Sequence, residues 1–285
     1  MAYKSSPRPV FKEPTVIPYA SVTRHLWGDE EAGLVSDWIY VSSDQIHQLV
    51  FGLPPGGGFT HSDSFRTVFA ADEVLHVLMG TMVIANPETG ETRLVRTGEA
   101  VFFQRDTWHN AWAFGTEELR VLEFFAPPPS TGTSGKYAQT KPYVDKPKYE
   151  RAELWGHWPS RQPLKESFSV LREADLLWSV DKADPRVLFG IHASTDQLTS
   201  GRALLSPGAR SSVQRHGGSL GLYVTSGRLN VFVEHPDVAA PWFELHPGDG
   251  FFVPQGAAYR VCNMSGQACE YLFGVAPLFA ETSAP

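Results

Sequence analysis

The pattern TGEAVFFQRDTWHNAWAFG at residues 97–115 returns as PGDGFFVPQGAAYRVCNMSG at residues 247–266. Each copy sets an acid and a Phe-Phe pair after a Gly, then a ring residue 11 positions on: His109 in the first, Tyr259 in the second. Upstream, HVLMGTMVIA (76–85) matches YVTSGRLNVF (223–232); downstream, LEFFAPPP (122–129) matches LFGVAPLF (272–279). Gly80 and Gly227 are 147 residues apart, and Gly98/Gly248 and Ala126/Ala276 are both 150 apart. Three anchors at nearly one offset mean two homologous halves. The extra three residues fall in the loop EHPDVAAP, which is longer than its counterpart NPETGE.

Within each half, short runs rich in Val, Phe, Ile, Leu and Thr are punctuated by Gly, Pro or Asn every 8 to 12 residues. That spacing predicts an all-β sandwich or barrel, and long periodic helices are absent. The expected organisation is an N-terminal arm over 1–29, a first domain over 30–130, a Pro-, Ser-, Gly- and Lys-rich linker over 131–174 and a second domain over 175–285. Short helices are expected in RAELWGHWP (151–159) and SFSVLREADLLWS (167–179).

Composition bounds the partners. With 285 residues, 42% hydrophobic content and a net charge of -7, the chain suits a soluble protein with a sizeable core and makes a poor binder of nucleic acid. No run approaches 18 apolar residues, so no membrane span is expected. The Pro-rich start MAYKSSPRPVFKEP has no apolar leader pattern, and a cytoplasmic location is the expectation. Cys262 and Cys269 flank NMSGQA, an expected hairpin tip, where they could face each other as free thiols.

At EVLHVLMG, with Glu73 seven residues before Gly80, and at GEAVFFQRDTWH, with Gly98 before His109, the first half resembles the two motifs of the cupin family. GDGFFVPQGAAY in the second half resembles the second motif more fully, with Pro254 and Gly256 in place and Tyr259 where a metal-binding His is usual. The resemblance covers most of residues 45–128 and 197–279. It implies a bicupin: two tandem jelly-roll (double-stranded β-helix) barrels joined by a linker. It further implies a divalent transition metal in the first barrel, held by His61, Glu73 and His109, with Asp63 as a candidate fourth ligand. Cupins usually carry His-x-His three or four residues before the Glu; here His61-Ser62-Asp63 is followed by a nine-residue gap. In the second half the matching positions read Gln214, His216, Leu220 and Tyr259, which implies a degenerate, metal-free barrel.

Alternation along strands places His61 and Asp63 on one face with Phe59. It places Glu73 with Leu75 and Val77, away from His76, and His109 with the small Ala111 and Ala113. Two imidazoles and a carboxylate suit non-heme Fe(II), with Zn, Mn and Ni also compatible. The expectation is an enzyme acting on a small organic substrate, foremost an Fe(II) dioxygenase-type oxidation of an aromatic or keto-acid compound, with Phe59 and Phe103 at the substrate. A redox-silent metal isomerase, cyclase, lyase or hydrolase is the second reading, and a non-catalytic small-molecule-binding bicupin the third. A homodimer is the expected assembly.

Overall fold

The computed structural model describes residues 6–128, 135–150, 166–234 and 242–280. It is nearly all β. A seven-stranded antiparallel sheet takes the strands in the order 169–171, 100–103, 72–79, 119–126, 47–53, 33–42 and 23–29. It faces a four-stranded sheet of 58–59, 110–113, 81–85 and 92–96, and the two enclose the first core. The second barrel repeats this plan. Its seven strands run 15–17, 250–253, 219–226, 269–276, 199–205, 187–194 and 177–180, facing a three-stranded sheet of 242–245, 229–233 and 259–262.

The barrels exchange edges. Thr15–Ile17 of the N-terminal arm pairs with Gly250–Val253 in the second barrel, whereas Ser169–Leu171 pairs with Ala100–Phe103 in the first. Residues 23–29, also in the arm, form a hairpin with 33–42. The span 167–179, expected as a helix, instead holds two strands and a 3-10 turn over Glu173–Asp175. Pairing to barrel edges satisfies the backbone there, and tertiary context overrides a weak local preference. The helix expected over 151–159 lies outside the described residues. Among the described residues, no helix is long and apolar enough to cross a membrane.

The central strands of both large sheets are buried on both faces, whereas edge strands such as Leu177–Val180 are exposed. Along Leu119–Ala126, Val121, Glu123 and Phe125 point into the first barrel, while Leu122 and Phe124 join a third core between the barrels. This explains why His47–Leu53 is buried at every position rather than at every second one. The repeated turn glycines have a steric reason. Gly80 and Gly227 adopt φ +82° and +73°, and a Cβ there would lie 2.7 Å from Glu118 O and 2.3 Å from Ala268 O.

His76 faces the inter-barrel core, as its parity predicts. Its Nε2 lies 2.9 Å from Ser200 Oγ, and its ring is T-shaped to His192 at 4.8 Å. Cys262 and Cys269 are buried free thiols, but they do not face each other: Cys262 ends a strand of the three-stranded sheet and Cys269 begins one of the seven-stranded sheet.

Candidate metal centre

Two strands and the residue before a third bring titratable side chains to one point inside the first barrel. Glu73 is the second residue of the strand Asp72–Met79, and its cross-strand partner is Phe125 on Leu119–Ala126. Glu123, two residues before Phe125, therefore projects from the same face. His109 immediately precedes the strand Asn110–Ala113 of the facing sheet. One ligand atom from each of Glu73, His109 and Glu123 can be chosen so that all lie within 4.8 Å of one another, and all three residues are buried.

The hydrogen bonding defines what this group lacks. His109 Nδ1 lies 3.3 Å from Thr107 O, and a carbonyl only accepts, so Nδ1 carries the proton. The Nε2 lone pair then faces Glu73 Oε2 at 3.9 Å, too far for a hydrogen bond, and Oε2 has no partner. Two electron-pair donors facing each other in an apolar wall call for a proton or a cation between them. Burial, and then the Glu123 carboxyl hydrogen-bonded to it, hold Glu73 well above the usual carboxylate range. Glu123 is pushed up to about 8, mainly by burial and further by Asp37. Burial lowers His109 to about 4, so its imidazole is neutral near pH 7. A neutral imidazole with its lone pair turned inward, beside two carboxyls of which one has an orphaned oxygen, is a donor set that fits a divalent cation.

Phe59, Phe69, Phe125, Trp27, Thr67 and Asp37 help line a cavity of about 50 Å³ that His109 and Glu123 also line. Phe103 packs behind the imidazole, with ring centroids 4.7 Å apart. Of the residues expected from sequence to bind metal, the structure brings together Glu73 and His109; His61 and Asp63 stand outside the group. Asp63 is exposed, 3.5 Å from Arg66. His61 Nε2 donates to Val144 O at 2.9 Å, and its ring packs on Trp108 and Tyr143.

The reason is a matter of register. His109 N–H donates to Thr67 O at 3.0 Å, as Tyr259 N–H does to Gln214 O at 3.1 Å in the second barrel. Thr67 and Phe69 are thus the counterparts of Gln214 and His216. The His-x-His place three residues before Glu73 is held by Thr67-Val68-Phe69, and His61 belongs to the loop before it. The offset of 147, applied backwards from Gln214 and His216, contains this assignment. Glu123 also left a trace, as the one charged residue in a stretch where the second half has Phe273.

His61 instead clasps the segment 135–150, whose Ala138 and Val144 cluster with Val68 and Trp108. His61→Ala should leave bound metal at the wild-type level while amide exchange over 135–150, followed by mass spectrometry, speeds by about fivefold, the scale of one lost hydrogen bond. Loss of metal with unchanged exchange would return His61 to the ligand set.

The second barrel has satisfied its remnant. His216 Nδ1 donates to Phe279 O at 2.6 Å, and its Nε2 accepts from Tyr259 O–H at 2.9 Å. Gln214 is tied to Asp181 at 3.2 Å and Leu220 is buried in the core.

Residues 201–275, in this second barrel, match the cupin domain family Cupin_2. No curated protein sequence matches the chain. Among solved structures, the putative glyoxylate induced protein from Pseudomonas aeruginosa superposes with TM-score 0.67 at 16% identity, covering 100% of this chain and 96% of that one. A single-site serine-to-alanine mutant of Bacillus subtilis oxalate decarboxylase gives TM-score 0.65 at 15% identity, covering 97% and 80%. The formate complex of Lactobacillus farciminis oxalate decarboxylase gives 0.66 at 13%, covering 95% and 88%. At these identities the likeness is one of fold.

Proposed function

We propose that this chain, a bicupin of the cupin superfamily, is a metal-dependent enzyme that transforms a small organic molecule in its N-terminal barrel. Glu73, His109 and Glu123 would hold the cation. The observation that carries this reading is the unpartnered Glu73 Oε2 facing the His109 Nε2 lone pair at 3.9 Å in a buried site. One imidazole and two carboxylates form a more oxygen-rich set than the two-imidazole arrangement typical of Fe(II) oxygenases, and shift the choice toward manganese(II) alongside iron(II). The B. subtilis decarboxylase, which shares the fold, has Mn(II) centres.

When bound, such a cation supplies Lewis acidity and, as manganese or iron, one-electron redox capacity. The chain supplies the rest. Phe59, Phe69 and Phe125 give the cavity its apolar wall, Thr107 fixes the His109 tautomer, and Asn110 accepts from the Thr67 hydroxyl at 3.2 Å. Dioxygenase-type oxidation is the reaction we infer first, and Lewis-acid isomerisation or lysis the second. Elemental analysis of the purified protein, followed by oxygen-electrode assays with small neutral and anionic substrates, tests both. About one equivalent of Mn or Fe with substrate-dependent oxygen uptake supports the first, and turnover without oxygen uptake the second. A protein that takes up no divalent cation overturns the metal reading.

A further inference from the structure

The cavity beside the proposed cation site has a second polar end. Asp37, on the strand Gly33–Ser42, lines it together with His109 and Glu123, and only 5% of the residue is exposed. Its neighbour across the sheet is His25 on the edge strand Thr23–Asp29, whose Nδ1 lies 3.2 Å from Asp37 Oδ2. Trp27, Val35, Leu49 and Phe51 supply the walls between. Among the described residues that line the cavity, none is Lys or Arg. A substrate carboxylate would find there no counter-charge from a side chain.

The arrangement therefore discriminates by charge. With Glu73 and Glu123 committed to the cation, Asp37 adds a third carboxyl to the cavity wall, where no Lys or Arg lies to offset it. Burial raises Asp37 to about 6, against the lowering pull of His25, so it is largely ionised at pH 7.5. In a poorly solvated space an anion facing that charge is repelled strongly, whereas an O–H or N–H donor gains a charge-assisted hydrogen bond.

We propose that Asp37, oriented by His25, is the specificity-determining residue of this site. It selects a small ligand that presents an O–H or N–H donor and carries no carboxylate. One end of the ligand is thereby assigned to Asp37, and the other rests on the metal reading above. About 50 Å³ is close to the space of one or two waters, so the ligand is compact, a few heavy atoms across. This selection separates the chain from the oxalate decarboxylases that share its fold, and it argues against the keto-acid substrates expected from sequence.

The test uses the full-length protein and a size-matched probe pair: hydroxyacetone, a neutral O–H donor, and pyruvate, its carboxylate analogue. Dissociation constants are measured by ligand-observed NMR at pH 7.5, with metal content and far-UV circular dichroism recorded on every sample. The wild type should bind hydroxyacetone at least about tenfold more tightly than pyruvate. Asp37→Leu should lose roughly tenfold for hydroxyacetone, the scale of a hydrogen bond to a charged group. Asp37→Asn should narrow the gap by admitting pyruvate. Both variants should keep wild-type metal, because Asp37 stands outside the ligand group. His25→Phe, which keeps a ring but removes the Nδ1 partner, should weaken hydroxyacetone binding without affecting metal. Tighter binding of pyruvate than of hydroxyacetone by the wild type overturns the assignment, as do constants that Asp37→Leu leaves unchanged. Absence of metal from every sample, with the probe preference intact, would overturn the metal reading and leave the Asp37 assignment standing.

Discussion

His109→Ala should strip the chain of its cation: from near one equivalent in the native protein to below about a tenth after dialysis, by elemental mass spectrometry. The imidazole is the one nitrogen donor of the group, and its Nε2 lone pair already points at the carboxyls because Nδ1–H is engaged by Thr107 O. Loss of an outer-shell partner alone typically costs 10–100-fold in metal affinity. Removal of a ligand itself should cost at least about 100-fold by the same scale. His216→Ala is the matched control, since it deletes the imidazole at a motif position of the second barrel, where both nitrogens are spent on Phe279 O and Tyr259 O–H. It should leave metal content unchanged. Equal metal in the native protein and His109→Ala, with both folded by circular dichroism, would remove Glu73, His109 and Glu123 as the site.

Cation uptake should be proton-coupled, with affinity climbing as pH rises from about 6 to 8. The sign follows from the folded-state groups. Glu123 titrates at about 8 and Glu73 well above the usual range, both mainly because burial penalises their charged forms. Near pH 7 the pair holds protons that a cation must displace, so binding releases them. His109, lowered to about 4 by burial, is already neutral there and releases none. Calorimetric titration with Mn(II) in buffers of different ionisation enthalpy should count one to two protons released at pH 7.

The same groups set the stability of metal-free protein. A carboxyl whose folded pKa is raised favours the folded state below the unfolded value, near 4.5, and that advantage is lost as pH rises through the folded value. For Glu123 alone the window from 4.5 to about 8 corresponds to on the order of 5 kcal/mol. Chelation should therefore lower the melting temperature at pH 8 by roughly 10 °C, and far less at pH 5.5, where the cation is already weakly held. A chelation effect independent of pH would mean that the carboxyls do not bind the cation.

Much of the architecture was legible because it is written twice. The 147- and 150-residue offsets located two halves, the alternation of Leu75, Val77, Ala111 and Ala113 assigned inward faces, and Gly80 and Gly227 marked turns that only a left-handed residue can make. The exchange of edge strands was not legible. Thr15–Ile17 and Ser169–Leu171 are three residues each and carry no periodicity, so their strand state comes from the barrel edge they join. His61 misled because residue type was weighed ahead of register: a loop histidine six residues before Thr67 matches the motif in composition, while the backbone hydrogen bond to His109 belongs to Thr67.

The sequence by itself determined the doubled β-barrel plan and two members of the polar group, Glu73 and His109, since both sit at fixed distances from glycines that local sterics require. Only the tertiary structure decided their company. Glu123 and Asp37 come from strands distant along the chain, and what makes them chemically unusual is burial among aromatic rings, a property that depends on which strands become neighbours. A carboxyl in water is ordinary; the same carboxyl facing a lone pair inside a barrel must find a proton or a cation.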